Sequence, residues 1–118
     1  MTSLTTSARN TAAIFILGLV CLVFRTSLAL SQGATTITPT TGAGSLGTTA
    51  TVHDHTVKIT GGTRPGNGVN LFHSFDQFNV GGGDTAQLLN TTPSLPTSNI
   101  LSRVTGGNPS SIFGTIDT

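Results

Sequence analysis

Asn70-Leu71-Phe72-His73-Ser74-Phe75-Asp76-Gln77-Phe78-Asn79-Val80 is the stretch that decides how this chain can fold. It holds three of the six phenylalanines, in surroundings dominated by glycine, threonine and asparagine. Side chains alternate between the two faces of a strand, so Phe72, Phe78 and Val80 share one parity and Phe75 takes the other. One unbroken strand therefore cannot turn all three rings inward. A bend or break near residues 74–77 would bring Phe72, Phe75 and Phe78 to one core, and the i, i+3, i+6 spacing also describes a helical turn. Gly81-Gly82-Gly83 ends the run in either case.

Downstream, residues 84–97 contain Leu88, Leu89, Pro93 and Pro96 and read as a weak strand followed by a loop. In Asn99-Ile100-Leu101-Ser102-Arg103-Val104-Thr105-Gly106-Gly107, Ile100, Ser102 and Val104 alternate with Leu101 and Arg103, which predicts a strand closed by the double glycine. Ile112 and Ile116 flank Gly114 and predict a last strand. Upstream, His53-Asp54-His55 reads as a turn before the alternating run Val57-Lys58-Ile59-Thr60, and Gly61-Gly62 breaks that strand. Residues 63–68 carry Pro-Gly and Asn-Gly turn signals. Residues 32–49, low in complexity and poor in apolar anchors, are expected to form an extended leader with loops.

The N-terminus has a separate character. Residues 11–24 are an uncharged apolar block preceded by Arg9 and followed by small residues at Ser27, Ala29 and Ser31. This is the pattern of an export signal, with cleavage expected after Ala29 or Ser31. As a helix the block would span about 21 Å, short of the ~30 Å hydrocarbon core, which argues against a permanent anchor. Cys21 lies inside the block behind Val20, a poor context for lipid attachment. Residues 1–31 are thus expected to be a signal-peptide helix and residues 32–118 the exported domain.

Without the signal, Lys58, Arg64 and Arg103 stand against Asp54, Asp76, Asp84 and Asp117, a formal charge of −1 from three basic and four acidic residues. No basic patch remains to neutralise phosphates, so nucleic acid is not an expected partner. No cysteine remains either, so packing and hydrogen bonds must hold the domain without disulfides. Threonine suits strands, and glycine and asparagine suit turns, so the chain is expected to be all-β. Sandwich, barrel and parallel β-helix all fit the strand pattern, and no exact internal repeat selects among them.

Candidate chemistry is sparse. Gly42-x-Gly44-x-x-Gly47 matches a dinucleotide fingerprint in spelling only, with no strand before it and no helix after it. His53 and His55 have a spacing that can hold a metal but lack a motif for the remaining ligands, so no metal is expected. His73, Ser74 and Asp76 resemble a hydrolase set, yet neighbouring residues of a strand point apart and no nucleophile elbow occurs. The four carboxylates show no acid–base spacing. Arg103 is read as a surface charge, and Asn90-Thr91-Thr92 as a glycosylation acceptor in spelling. No catalytic residue, cofactor or enzymatic activity is expected.

From Val57 to Ile116, the blocks Ile59-Thr60-Gly61-Gly62-Thr63, Asn70 through Val80, Asn99 through Gly107 and Ile112-x-Gly114-x-Ile116 resemble the N-terminal two-partner-secretion domain of the filamentous haemagglutinin family. The resemblance implies a right-handed parallel β-helix with an N-terminal cap. It also implies recognition, in the extended state, by an outer-membrane partner of the Omp85 type with periplasmic POTRA domains. Recognition and core nucleation would then fall to Asn70, Phe72, Phe75, Phe78, Asn99, Arg103, Ile112 and Ile116. The product would be a secreted or surface adhesin of a bacterium with an outer membrane, with host or neighbouring-cell glycans or proteins bound through downstream regions. Family domains continue into an Asn-Pro-Asn-Gly-Ile-like segment, so residues 32–118 are expected to be the N-terminal part of such a domain. The alternatives are the delivery domain of a contact-dependent toxin, a gene remnant and, with less support from four scattered Asp, a β-helical polysaccharide-degrading enzyme.

Overall fold

The computed structural model describes residues 33–118; the expected signal helix over residues 1–31 lies outside them. Seven strands follow in order: β1 (Thr36–Pro39), β2 (Thr48–His53), β3 (Thr56–Gly61), β4 (Asn70–Asn79), β5 (Thr85–Leu88), β6 (Asn99–Val104) and β7 (Thr115–Asp117). The only helical element among the described residues is a 3₁₀ turn at Pro65–Asn67. The all-β expectation is met, in two mixed sheets rather than a closed barrel: one ordered β1-β4-β6, the other β2-β3-β5-β7.

Each sheet starts with an antiparallel pair and continues in parallel. β2 and β3 form a hairpin around Asp54-His55, with Asp54 at φ 52, as the turn reading predicted. β1 pairs antiparallel with β4. This corrects the leader reading of residues 32–49, because four of them form a strand and β2 begins at Thr48. With Ile37 as its one large apolar residue, β1 is too thinly patterned to be read locally and is ordered by its partner.

The parallel pairs share a spacing. Asn70 lies opposite Asn99 and Thr56 opposite Thr85, and side-chain bonds at the first of these rungs (Asn99–Asn70) and just before the second (His55–Asp84) join residues 29 apart. Thr85 lies opposite Thr115, and Gln87 bonds Asp117 at a separation of 30. A further parallel bridge links Val80 and Ile112.

The core forms between the inward faces: Val57, Ile59, Ala86 and Leu88 from one sheet, Phe75, Phe78 and Val80 from the other, with Ile37, Ala50 and Ile100 packed against them. A bulge makes this possible. Thr38 pairs with Gln77 and Pro39 with Phe75, so Asp76 is the extra residue of β4. The slip of one residue reverses parity and sets Phe75 and Phe78 edge to face, ring centroids 4.9 Å apart. The expected bend is therefore there, but it does not gather all three rings. No slip separates Phe72 from Phe75, so Phe72 points outward on the opposite face.

Candidate functional site

The residues singled out in the sequence meet mainly on β4 and β6. Asn99 Nδ2 donates to Asn70 Oδ1 at 2.9 Å, so two equivalent asparagines stack across the rung that opens both strands. Two rungs on, Phe72 lies beside Leu101; two rungs further, Ser74 lies beside Arg103. Arg103 does more than carry a surface charge. Its Nε donates to Ser74 Oγ at 3.0 Å and its Nη2 to the Gly44 carbonyl at 2.7 Å, which ties the β1–β2 loop to the outer face of the sheet. Ser74 Oγ in turn donates to Thr40 Oγ1 at 3.0 Å.

Phe75 is fully buried and Phe78 is 8% exposed, whereas Ile112 is 42% and Ile116 50% exposed. Register explains the contrast at Ile116: it continues the inward column of Val57 and Ala86, but β7 is the outermost strand of its sheet. Ile112 and Ile116 thus stand largely exposed beside Val80 and Ala86, at the outer end of the core.

His73 is the polar group that the sequence did not place. It is 1% exposed, on the inward face beside Phe75. Thr48 Oγ1 accepts from the Ser74 amide at 3.2 Å and lies 3.1 Å from His73 Nδ1. Which of the two donates depends on the ring tautomer, and in either case Nε2 is buried without a hydrogen-bond partner. Burial holds the imidazole below its ordinary protonation range, because a buried cation would face no compensating carboxylate. His73 and Ser74 point to opposite faces, and no hydrolase geometry arises.

The sign of the pH effect follows. Below about pH 6.5 the unfolded chain takes up a proton that the folded chain resists, so stability falls by up to ~1.4 kcal/mol per pH unit until the lowered folded pKa is reached. Denaturant melts between pH 7.5 and 5 are expected to show this loss, and His73→Leu to flatten it. An unchanged slope in that variant would place the acid sensitivity elsewhere.

The remaining histidines separate. His53 Nδ1 lies 3.2 Å from Asp54 Oδ2, and His55 Nδ1 2.9 Å from Asp84 Oδ1. Thr35 also donates to the Asp84 carboxylate, and these hydrogen bonds, Thr35 first, hold its carboxyl below the usual range. Among the described residues no group of three or more His, Cys, Asp or Glu is placed to hold a metal. Arg64 reaches the Gly68 and Pro96 carbonyls, Asn90 Oδ1 and Thr97 Oγ1, clasping the 64–68 turn to the loop after β5.

Two glycines of the blocks singled out in the sequence have a steric reason. Gly62 sits at φ 85, where an added Cβ would lie 2.7 Å from the Phe72 carbonyl oxygen and 2.9 Å from His73 Cε1. Gly106 rests against the Asp76 carbonyl of the β4 bulge. The signal that could have exposed the stacking was the parallel spelling of Asn70-Leu71-Phe72 and Asn99-Ile100-Leu101, at the 29-residue register.

No curated protein and no solved structure matches the chain. The TPS secretion domain family matches residues 35–118, which covers all seven strands. The chain therefore belongs to the TPS secretion-domain family and carries the secretion signal of a two-partner-secreted exoprotein of Gram-negative bacteria, the exported partner of a TpsB transporter.

Proposed function

We propose that this domain directs a large filamentous-haemagglutinin-like adhesin to the cell surface by presenting an extended segment to the POTRA domains of an Omp85-type transporter, and that it then folds as the first coils of a right-handed parallel β-helix. The family match over residues 35–118 carries this reading. The fold part is supported by the parallel register of 29 to 30 residues in both sheets, the pitch expected if each coil lays its strands on those of the coil before. The antiparallel β1 and the β2–β3 hairpin would form the N-terminal cap.

Recognition by an extended segment follows from the backbone. A low-charge, strand-forming stretch such as residues 70–80 adds readily to an exposed sheet edge, main-chain bonds giving affinity and alternate side chains selectivity. Once outside, burial of Phe75 and Phe78 opposes return. Asn70, Phe72 and Arg103, which lie off the core, are assigned to recognition or to the outer face, and Phe75 and Phe78 to nucleation.

Residues 1–118 fused ahead of a reporter and expressed with the cognate transporter in a Gram-negative host should deliver the reporter to the medium. Without the transporter it should stay in the periplasm. Alanines at Phe72, Phe75 and Phe78 together should abolish both release and folding. Release that ignores the transporter would refute the functional reading, and a triple variant that is exported and folds normally would refute the residue assignment.

A further inference from the structure

A groove of about 500 Å³ opens on the outward side of the β1-β4-β6 sheet. Phe72 of β4 and Leu101 of β6 lie side by side across one rung, and Leu46 and Pro65 come in from two loops. Leu101 is 44% exposed, a large apolar side chain in contact with water at the groove. Arg103 forms one wall, and no carboxylate lines the groove although the described residues carry four Asp against three basic residues. The groove therefore concentrates apolar surface and positive charge on a domain that is slightly acidic as a whole.

Arg103 is set for a ligand. Its bonds to Ser74 Oγ and the Gly44 carbonyl use two of five guanidinium N–H groups and fix the plane of the head group. The other three have no acceptor among the described residues. A pre-oriented guanidinium beside an apolar seat favours a carboxylate next to a large apolar side chain.

We propose that this groove binds a peptide segment of a partner protein in which a leucine or phenylalanine side chain is flanked by acidic residues. The apolar side chain lies on Phe72 and Leu101, and a carboxylate meets Arg103. A peptide fits better than an alkyl chain, because an open groove covers one side chain adequately but leaves a long chain largely wet, and the gain scales with the apolar area removed from water. The inference concerns the folded domain and does not rest on the extended-state recognition proposed above.

The test is a titration of the ¹⁵N-labelled chain, followed by NMR, with acetyl-Asp-Leu-Phe-Glu-amide and with its charge-reversed counterpart acetyl-Lys-Leu-Phe-Lys-amide. Shifts at Thr63, Phe72, Leu101 and Ser102 with the acidic peptide, and much weaker binding of the basic one, are expected. Leu101→Thr, at an exposed position, should weaken binding about tenfold, the loss of one well-seated apolar contact. Arg103→Gln should erase the preference between the two peptides. Equal binding of both peptides by the unaltered chain, no localised shifts, or tighter binding of decanoate than of the acidic peptide would each overturn the proposal. If Arg103→Gln loosens the β1–β2 loop, Leu101→Thr and the peptide pair still decide.

Discussion

Phe75→Ala is expected to cost about 3–5 kcal/mol, the range for emptying a fully buried aromatic site. That is a large share of the whole stability of a small domain, ~5–15 kcal/mol, so the variant should melt at a much lower urea concentration than the unaltered chain. Phe75 has no exposed surface, packs edge to face on Phe78, and lies beside His73 in a core cluster of seven buried apolar residues among those described. The sheets around it are held in register by the Asp76 bulge and have little freedom to collapse into the cavity. Phe72→Ala is the control: a half-buried ring on the other face should cost only about 1–2 kcal/mol. Urea melts followed by far-UV circular dichroism suit the comparison, since the chain has no tryptophan or tyrosine to report by fluorescence. Equal losses at the two positions would mean that the bulge does not separate two faces.

Gly106→Ala is expected to be nearly as damaging although it adds a single methyl group. The new Cβ would be driven into the carbonyl of Asp76, a backbone atom with no rotamer to give way. Relief requires the end of β6 to lift away from β4. There Thr105 donates its amide to the Phe75 carbonyl at 2.8 Å and its hydroxyl to the same oxygen at 3.2 Å. The overpacking should cost about 2–3 kcal/mol and open the C-terminal end of the β4–β6 ladder first. Hydrogen exchange read amide by amide should show Thr105 losing protection before Ile59 at the centre of the other sheet. Uniform protection in the variant would show that the loop accommodates the methyl group and that the glycine is there for another reason. Neighbouring Gly107 has open space where its Cβ would stand, so Gly107→Ala should be close to neutral.

Where the chain alternates strongly, strands were legible. Val57-Lys58-Ile59 and Ile100 through Val104 read as strands because a period of two is a local property that a folded sheet preserves. A slip inside Asn70–Val80 was legible for the same reason, since rings of mixed parity cannot share a core without one, but alternation did not show that it gathers only Phe75 and Phe78 and leaves Phe72 outside. The candidate site was less so. Arg103 reads as an exposed charge until Ser74 and Gly44, respectively 29 and 59 residues earlier, are brought beneath it. His73 looks like one more polar residue of the strand until Thr48 closes over it.

Determined by the sequence alone were the class of structure, the turns, the lack of cysteine in residues 32–118 and the aromatic block from which the core is built. Each is encoded within a few neighbouring residues, by alternation, by glycine and asparagine, or by composition. Tertiary structure decided which strand lies beside which, that Phe72 faces out while Phe75 faces in, that Thr36–Pro39 is a strand, and why Gly62 and Gly106 have no side chain. Apart from the β2–β3 hairpin, these depend on partners 10 to 43 residues away in the chain, and periodicity specifies the face a side chain takes without specifying what it meets there.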